Sequence, residues 1–255
     1  MGLLYKSTGM SAPDYAIAAI SPENLPHVWR APELARVADK VLPTGHALLD
    51  AQLPGGGWPC GNLIEVLQAS AGRHVWQLLL PALAQVTHQE RGPVVLVDPP
   101  HLPFGPSLAA QGLASDSLLK VQSRNAQAAL WASEQALRCA DVAALLAWLP
   151  RCRGEELRRL HFTATQHGKL LFVFRTPVAR GESSPARVRI EIEESDELRV
   201  HLLKRRGPPL AAAIELPAQP PRLQQLLASR KRARVATTTL TRERSHVLDR
   251  TVATA

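Results

Sequence analysis

The stretch that decides the fold runs from Glu65 to Leu80 and reads EVLQASAGRHVWQLLL. It continues an apolar segment, NLIEVLQ at 62–68, whose length and composition are typical of a buried strand. After Gly72 the apolar residues recur at helical spacing, which predicts a helix over 73–90. The buried face of that helix would carry Val75, Leu78, Leu79, Ala82, Leu83 and Val86. A buried strand, a loop and an amphipathic helix in succession predict the first unit of an α/β fold.

The same alternation continues along the chain. Further strands are expected in GPVVLVDPP at 92–100, LLKVQ at 118–122 and KLLFVFRTP at 169–177. Helices are expected in GPSLAAQG at 105–112, NAQAALWASEQALRC at 125–139 and GEELRRLHFTATQHG at 154–168. The segment DVAALLAWLP at 141–150 fits either a buried strand or a short apolar helix. This rhythm predicts a mostly parallel sheet with helices on both of its faces.

Three regions differ in composition. Residues 1–41 form a poorly patterned leader with a possible helix in APELARVAD, and residues 42–220 carry the folded core. Within the core, 186–204 alternates apolar and polar residues on both sides of ESDE, which predicts a β-hairpin. Residues 221–255 are rich in Arg and Thr and poor in large apolar residues, so we expect a disordered basic tail.

Charge is concentrated in that tail. From Arg222 onward there are eight Lys or Arg residues against two acidic ones, a net charge of +6 within a total of +8. Such an arm suits a polyanion or an acidic partner, although it could equally serve solubility alone. The three cysteines form no C-x-x-C pair, which argues against a disulfide framework and a structural zinc site. The same cysteine usage leads us to expect a cytoplasmic protein. No apolar run reaches the roughly 18 residues that span a bilayer, so we expect no membrane contact.

The opening stretch occupies the place of a phosphate-binding loop, which reads G-x-x-x-x-G-K-[ST] between a strand and a helix. Aligned on Gly72, Leu67 replaces the first glycine, Arg73 the lysine and His74 the Ser or Thr. The glycines let backbone N–H groups surround the phosphates, and the hydroxyl ligates magnesium, which prefers oxygen to the nitrogen of a histidine. Arginine keeps the charge but differs in shape from lysine. The loop is therefore a degenerate nucleotide loop, and we expect no ATP cofactor.

The order of these features resembles the RecA-type ATPase core. LPTGHALLDAQLPGGGWPCGNLIEV, at 42–66, resembles its opening turn, helix, glycine loop and first strand, and the likeness continues to about residue 178 and then into the hairpin. More specific features resemble a narrower group of proteins. They are the run LP-x-G followed by LPGGGWP-x-G-x-L-x-E, and the RTP after the last core strand. This group comprises the RecA-like proteins called ImuA, which are grouped with the SulA-like cell-division inhibitors.

That resemblance implies a role in SOS-induced translesion DNA synthesis and mutagenesis. The implied partners are ImuB, which is a polymerase-like protein lacking catalysis, an error-prone DnaE-type polymerase and, as a further candidate, RecA. Two alternatives stay open. One is a SulA-like division inhibitor that acts on FtsZ, and the other is a weak ATP-binding ATPase with an unorthodox loop.

The resemblance also indicates where catalytic groups would stand. The water-activating glutamate should follow the second core strand, where VDPPH offers Pro99 or Pro100, with Asp98 as a strand-end carboxylate nearby. The metal-binding aspartate should close the strand at 141–150, where Leu146 or Ala147 stands. The residues that would position the phosphates, hold the metal and activate the water are all replaced. We therefore expect an accessory protein that is not an enzyme, with no catalytic residue and no metal site.

Basic clusters are the candidates for contact with DNA or a partner. They are Lys204, Arg205 and Arg206 in the core and Arg230, Lys231, Arg232 and Arg234 in the tail. Lys and Arg bind phosphates without sequence preference, although a solvated surface has the same composition. Among the tryptophans, Trp58 lies in the glycine-rich loop PGGGWPCG, and we expect it to be exposed and available for contacts.

Overall fold

The computed structural model describes residues 40–70, 74–101, 103–193, 195 and 197–217. Its strands are β1 (Val41–Leu42), β2 (Trp58–Pro59), β3 (Leu63–Gln68), β4 (Val94–Val97), β5 (Leu118–Val121), β6 (Ala144–Trp148), β7 (Leu170–Arg175), β8 (Val188–Ile192), β9 (Leu198–Lys204) and β10 (Ile214–Leu216). Its α-helices are α1 (Ala47–Asp50), α2 (Val75–Glu90), α3 (Gly105–Ala109), α4 (Ala126–Arg138) and α5 (Gly154–His167). Short 3-10 helices span Ser115–Ser117 and Pro177–Gly181.

A mixed sheet of eight strands organises the fold, in the order β10-β9-β8-β3-β7-β6-β4-β5. Neighbouring strands from β8 to β5 pair in parallel. Strand β9 runs against both β8 and β10. The predicted class, an α/β fold with a mostly parallel sheet flanked by helices, is therefore confirmed.

The sheet buries both of its faces, which explains the continuous apolar runs in the sequence. Every residue of β3, β4, β6 and β7 is buried. On one face, Ile64, Val66 and Phe172 pack with the apolar side of α2. On the other, Leu63, Leu171 and Val173 pack with residues of α4 and α5. The segment at 141–150 forms a strand because it fills a central position between β4 and β7.

Three local details differ from what the sequence predicted. The edge strand β10 lies in a segment for which no strand was predicted. Trp58 is fully buried in β2, and its ring meets Phe172 edge-on at 5.3 Å, so the prediction that it is exposed was wrong. Strand β2 pairs with β1, a small sheet the sequence did not indicate.

Several expectations lie outside the described residues. They concern the leader and its possible helix at 1–39, the basic tail at 221–255, and Gly72 and Arg73 in the loop. The tail cluster of Arg230, Lys231, Arg232 and Arg234 lies outside as well. Among the residues that are described, no helix is both long and apolar enough to cross a bilayer.

Candidate functional site

A crevice of about 910 Å³ lies at the carboxyl ends of five adjacent parallel strands. Gln68 of β3, Thr176 after β7, Trp148 of β6, Asp98 after β4 and Gln122 after β5 all line it. In open α/β sheets this edge is where ligands bind, because chain connections diverge there and leave a gap. The crevice is therefore the first place to look for function.

The degenerate loop begins at one end of this crevice. Leu67, which aligns with the first glycine of a phosphate loop, is fully buried within β3 opposite Arg175 of β7 and Glu191 of β8. The strand therefore continues to Gln68, and the connection to α2 is shorter than the motif alignment suggested. The position of the first glycine in a phosphate-binding loop is therefore part of the sheet here.

His74, which aligns with the magnesium-ligating hydroxyl, is bound to protein instead. It is the N-cap of α2 and is 8% exposed. Its Nε2 lies 2.9 Å from the carbonyl oxygen of Ser195, and its Nδ1 lies 3.3 Å from Oε1 of Gln77. Gln77 in turn donates to the carbonyl of Pro217 at 3.3 Å. The start of α2 is thus hydrogen-bonded to the segments that follow β8 and β10.

A buried ion network crosses the centre of the sheet. Glu65 of β3 is fully buried, and its carboxylate accepts from Nη1 of Arg175 at 3.1 Å and from Nε of Arg189 at 2.7 Å. Arg175 also donates to Glu182 at 2.7 Å. Burial lowers the pKa of Arg175, but its bonds to Glu182 and Glu65 outweigh burial and raise it.

Arg189 uses the rest of its guanidinium to hold the 3-10 segment after β7. Its Nη1 donates to the carbonyls of Arg180 at 3.1 Å and Glu182 at 3.0 Å, and its Nη2 donates to that of Ala179. The sequence analysis did not predict this network. A lone carboxylate in a buried strand, with arginines in two later strands, was the available signal.

Asp98 ties two strand ends together at the crevice. Its backbone is left-handed, with φ of 49°, and its carboxylate accepts from the backbone N of Ser123 at 2.6 Å, from the Ser123 hydroxyl and from Nε2 of Gln122 at 3.2 Å. The side chain therefore joins the ends of β4 and β5. This agrees with a strand-end structural role and leaves its oxygens occupied.

The floor of the crevice is aromatic. Trp148 stacks on Phe174 with ring centroids 4.3 Å apart and planes 12° apart. Cys152 lies beside them, and burial, reinforced by Glu156, raises the pKa of its thiol to about 12. A thiol with that pKa stays protonated at neutral pH and is a poor nucleophile. No group of three or more His, Cys, Asp or Glu within the described part of the chain is placed to hold a metal ion.

The predicted basic cluster of the core lies away from this crevice, at the end of β9. Lys204 is exposed and donates to the carbonyl of Ser184 at 2.8 Å, and Arg206 is exposed. Arg205 is half-buried and donates to Oε1 of Gln52 at 3.2 Å and to the carbonyl of Pro208 at 3.0 Å. Two of the three cations therefore have fixed contacts within the protein.

One family comparison bears directly on this region. Residues 61–171 match the family model of the cell division inhibitor SulA. The match begins just before β3 and ends within β7, so it covers the connection from β3 to α2 and most of the strands around the crevice, but not the carboxyl end of β7. No curated protein matches the chain at a significant level. The finding supports the resemblance of this segment to the SulA and ImuA group.

Proposed function

We propose that this protein is a non-catalytic accessory factor in SOS-induced translesion DNA synthesis and mutagenesis, acting in the cytoplasm through protein contacts. Its partners would be ImuB, an error-prone DnaE-type polymerase and, as a further candidate, RecA. The observation that carries the proposal is the SulA-family segment at 61–171, whose phosphate-loop positions hold side chains committed to the protein's own structure.

A RecA-like origin is part of the proposal. The strand β3, the connection at 69–74 and the helix α2 have the strand–loop–helix order of a P-loop. Strand β3 also lies between β7 and β8 inside the sheet, so the connection emerges at the edge where ligands of α/β proteins bind. This position supports an ancestral nucleotide loop.

Other groups stand where a nucleotide hydrolase has its catalytic residues. Leu67 is part of a buried strand, and the ring nitrogens of His74 face protein oxygens, so neither could form a phosphate and magnesium site without rearrangement. Strand β6 ends in Leu146, Ala147 and Trp148, which are buried and carry no carboxylate for a metal. Nucleotide hydrolysis would need all of these groups together.

The test is a set of pull-downs with the purified full chain and with the chain lacking residues 222–255. Each would be challenged with ImuB, the DnaE-type polymerase, RecA, FtsZ and DNA. The proposal expects capture of ImuB, with the polymerase retained through it, and a weaker signal when the basic tail is absent. Failure to capture ImuB, the polymerase and RecA with a folded full-length chain would overturn it.

Division inhibition is a second candidate, and the description of the matched family favours it directly. On this view the protein would bind FtsZ and block its polymerisation. Overexpression would then make cells filament without changing the frequency of mutations. Filamentation with capture of FtsZ would select this function, whereas a mutation phenotype without filamentation would reject it.

A further inference from the structure

The crevice has the length of an extended peptide. It touches the ends of β3, β7, β6, β4 and β5, which are consecutive neighbours in the sheet. At roughly 4.8 Å between strands, four spacings give about 19 Å, which is the length of about six residues of extended chain. An elongated occupant that crosses the strand ends therefore fits this shape.

The crevice also has a positive lining. Arg124, Arg151 and Arg153 are exposed at its rim and supply its positive charge. Arg159 and the buried Arg175 line it as well, but Arg159 pairs with Glu134, and Arg175 pairs with Glu65 and Glu182. The lining acids are Asp98 and Glu156, and both carboxylates accept bonds from nearby protein N–H groups. Helices α4 and α5, of 13 and 14 residues, begin at this rim, so the positive ends of their dipoles add to the field.

Apolar side chains also line the crevice. Trp148, Phe174 and Leu130 are among the lining residues, and they offer a surface on which apolar groups of a ligand can pack.

From this arrangement we infer that the crevice binds an extended acidic segment of a partner protein. Its carboxylates would pair with the rim arginines, which recognise carboxylates through two parallel hydrogen bonds. Its intervening apolar side chains would lie on Trp148 and Phe174. The chain's own residues 222–255 carry a net charge of +6, so repulsion disfavours them as occupants. The inference deepens the proposed function, since it gives the chemistry of a partner contact.

The probe is a fluorescently labelled peptide of alternating glutamate and leucine, with binding to the full chain followed by fluorescence anisotropy. The same peptide with glutamine in place of glutamate tests the charge. The crevice variant is Arg124→Gln with Arg151→Gln. The matched control is Arg138→Gln with Arg158→Gln, which removes equal charge from exposed positions of α4 and α5 that line a separate, smaller cavity.

We expect saturable binding of the glutamate peptide, a loss of about ten-fold in affinity for the crevice variant and little change for the control. No binding by the full chain, equal binding of the glutamine peptide or equal loss in both variants would overturn the inference. Displacement of the peptide by inorganic phosphate or ATP at equal concentration would also overturn it, because it would identify a small-anion site.

Failure of this inference and failure of the proposed function give different results. If the crevice variant captured ImuB and the polymerase as well as the unchanged chain does, only the inference would be lost. If the peptide bound as expected but the chain captured none of the proposed partners, the proposed function would be lost and the acidic-peptide site would stand.

Discussion

Oε2 of Glu65 accepts a hydrogen bond from Nε of Arg189 at 2.7 Å. The two residues are paired between β3 and β8, and Glu65 has no exposure to solvent. The other oxygen of Glu65 accepts a hydrogen bond from Arg175 of β7. One carboxylate thus connects three neighbouring strands. Through Arg189 it also holds the segment after β7 that leads from the crevice to β8.

Replacing Glu65 with glutamine should destabilise the fold strongly. Removal of one member of a buried ion network leaves the others charged and uncompensated, which costs about 3–5 kcal/mol. The measurement is the free energy of unfolding from urea denaturation. Glu197→Gln is the control, because Glu197 is 66% exposed and lies 3.5 Å from Arg199 in a surface pair, which is worth about 0–1 kcal/mol. Equal effects of the two substitutions would contradict a structural role for the network.

Gly45→Ala should be more costly than Gly56→Ala. Both glycines have left-handed backbones, with φ of 83° and 77°, so each alanine carries a similar strain of about 1–2 kcal/mol. At Gly45 a Cβ would also stand 2.3 Å from Cβ of Pro81, whereas Gly56 has open space around it. Overpacking adds about 1–3 kcal/mol at the first site alone. Comparable thermal unfolding of the two variants would mean that Gly45 does not lie against Pro81 of α2.

Trp58→Ala should lower the free energy of unfolding by about 3–5 kcal/mol, since it removes a large side chain from the interior. Trp131→Ala is the matched comparison, because Trp131 is 64% exposed on α4 and should change stability by less than about 0.5 kcal/mol. Urea denaturation of both variants is sufficient. A stable Trp58→Ala protein would restore the original expectation that this residue faces solvent.

Acid should destabilise the protein partly through His161. Its Nδ1 accepts a bond from the backbone N of Leu63 at 3.1 Å, so that nitrogen is unprotonated in the fold. Burial, together with the charges of Arg187 and Lys204, lowers the pKa of His161 below 6.5. Protonation therefore favours the unfolded chain, and stability present above about pH 6.5 should be lost as the pH falls towards the lowered folded value.

The check is the free energy of unfolding between pH 7 and pH 5 for the unchanged chain and for His161→Gln. The decline with falling pH should be shallower in the variant. A residual decline is expected from His46, whose pKa burial also lowers. An identical pH profile for both proteins would show that His161 does not titrate as the structure requires.

The sheet could be predicted because both of its faces are buried. Burial on both faces requires long apolar runs, and β3, β4, β6 and β7 have them. The strand β10 could not be predicted, since its three residues follow a proline-rich segment and gain their strand conformation by pairing with β9. Trp58 was misjudged for a related reason. Its glycine-rich surroundings indicate a loop, but the loop folds back so that the indole reaches Phe172.

The candidate site was only partly visible in the sequence. Leu67 and His74 were recognised as replacements in a phosphate loop, but their burial and partners depend on strands distant in the chain. The crevice was missed, because Arg124 and Arg151 lie in two separate loops and Arg175 lies in β7, and they line one crevice only because the sheet places the strand ends along one edge. No motif or residue spacing within one segment of the sequence indicates that arrangement.

The central claim is that the protein supports damage-induced mutagenesis without turning over nucleotide. The most direct measurement is the mutation frequency after DNA damage in cells that lack the protein, complemented with the unchanged chain or with Arg73→Ala. The account predicts that loss of the protein lowers the frequency and that both chains restore it equally, with no ATP hydrolysis above background by either purified protein. Failure of a folded Arg73→Ala chain to restore mutagenesis, together with hydrolysis by the unchanged chain, would contradict it.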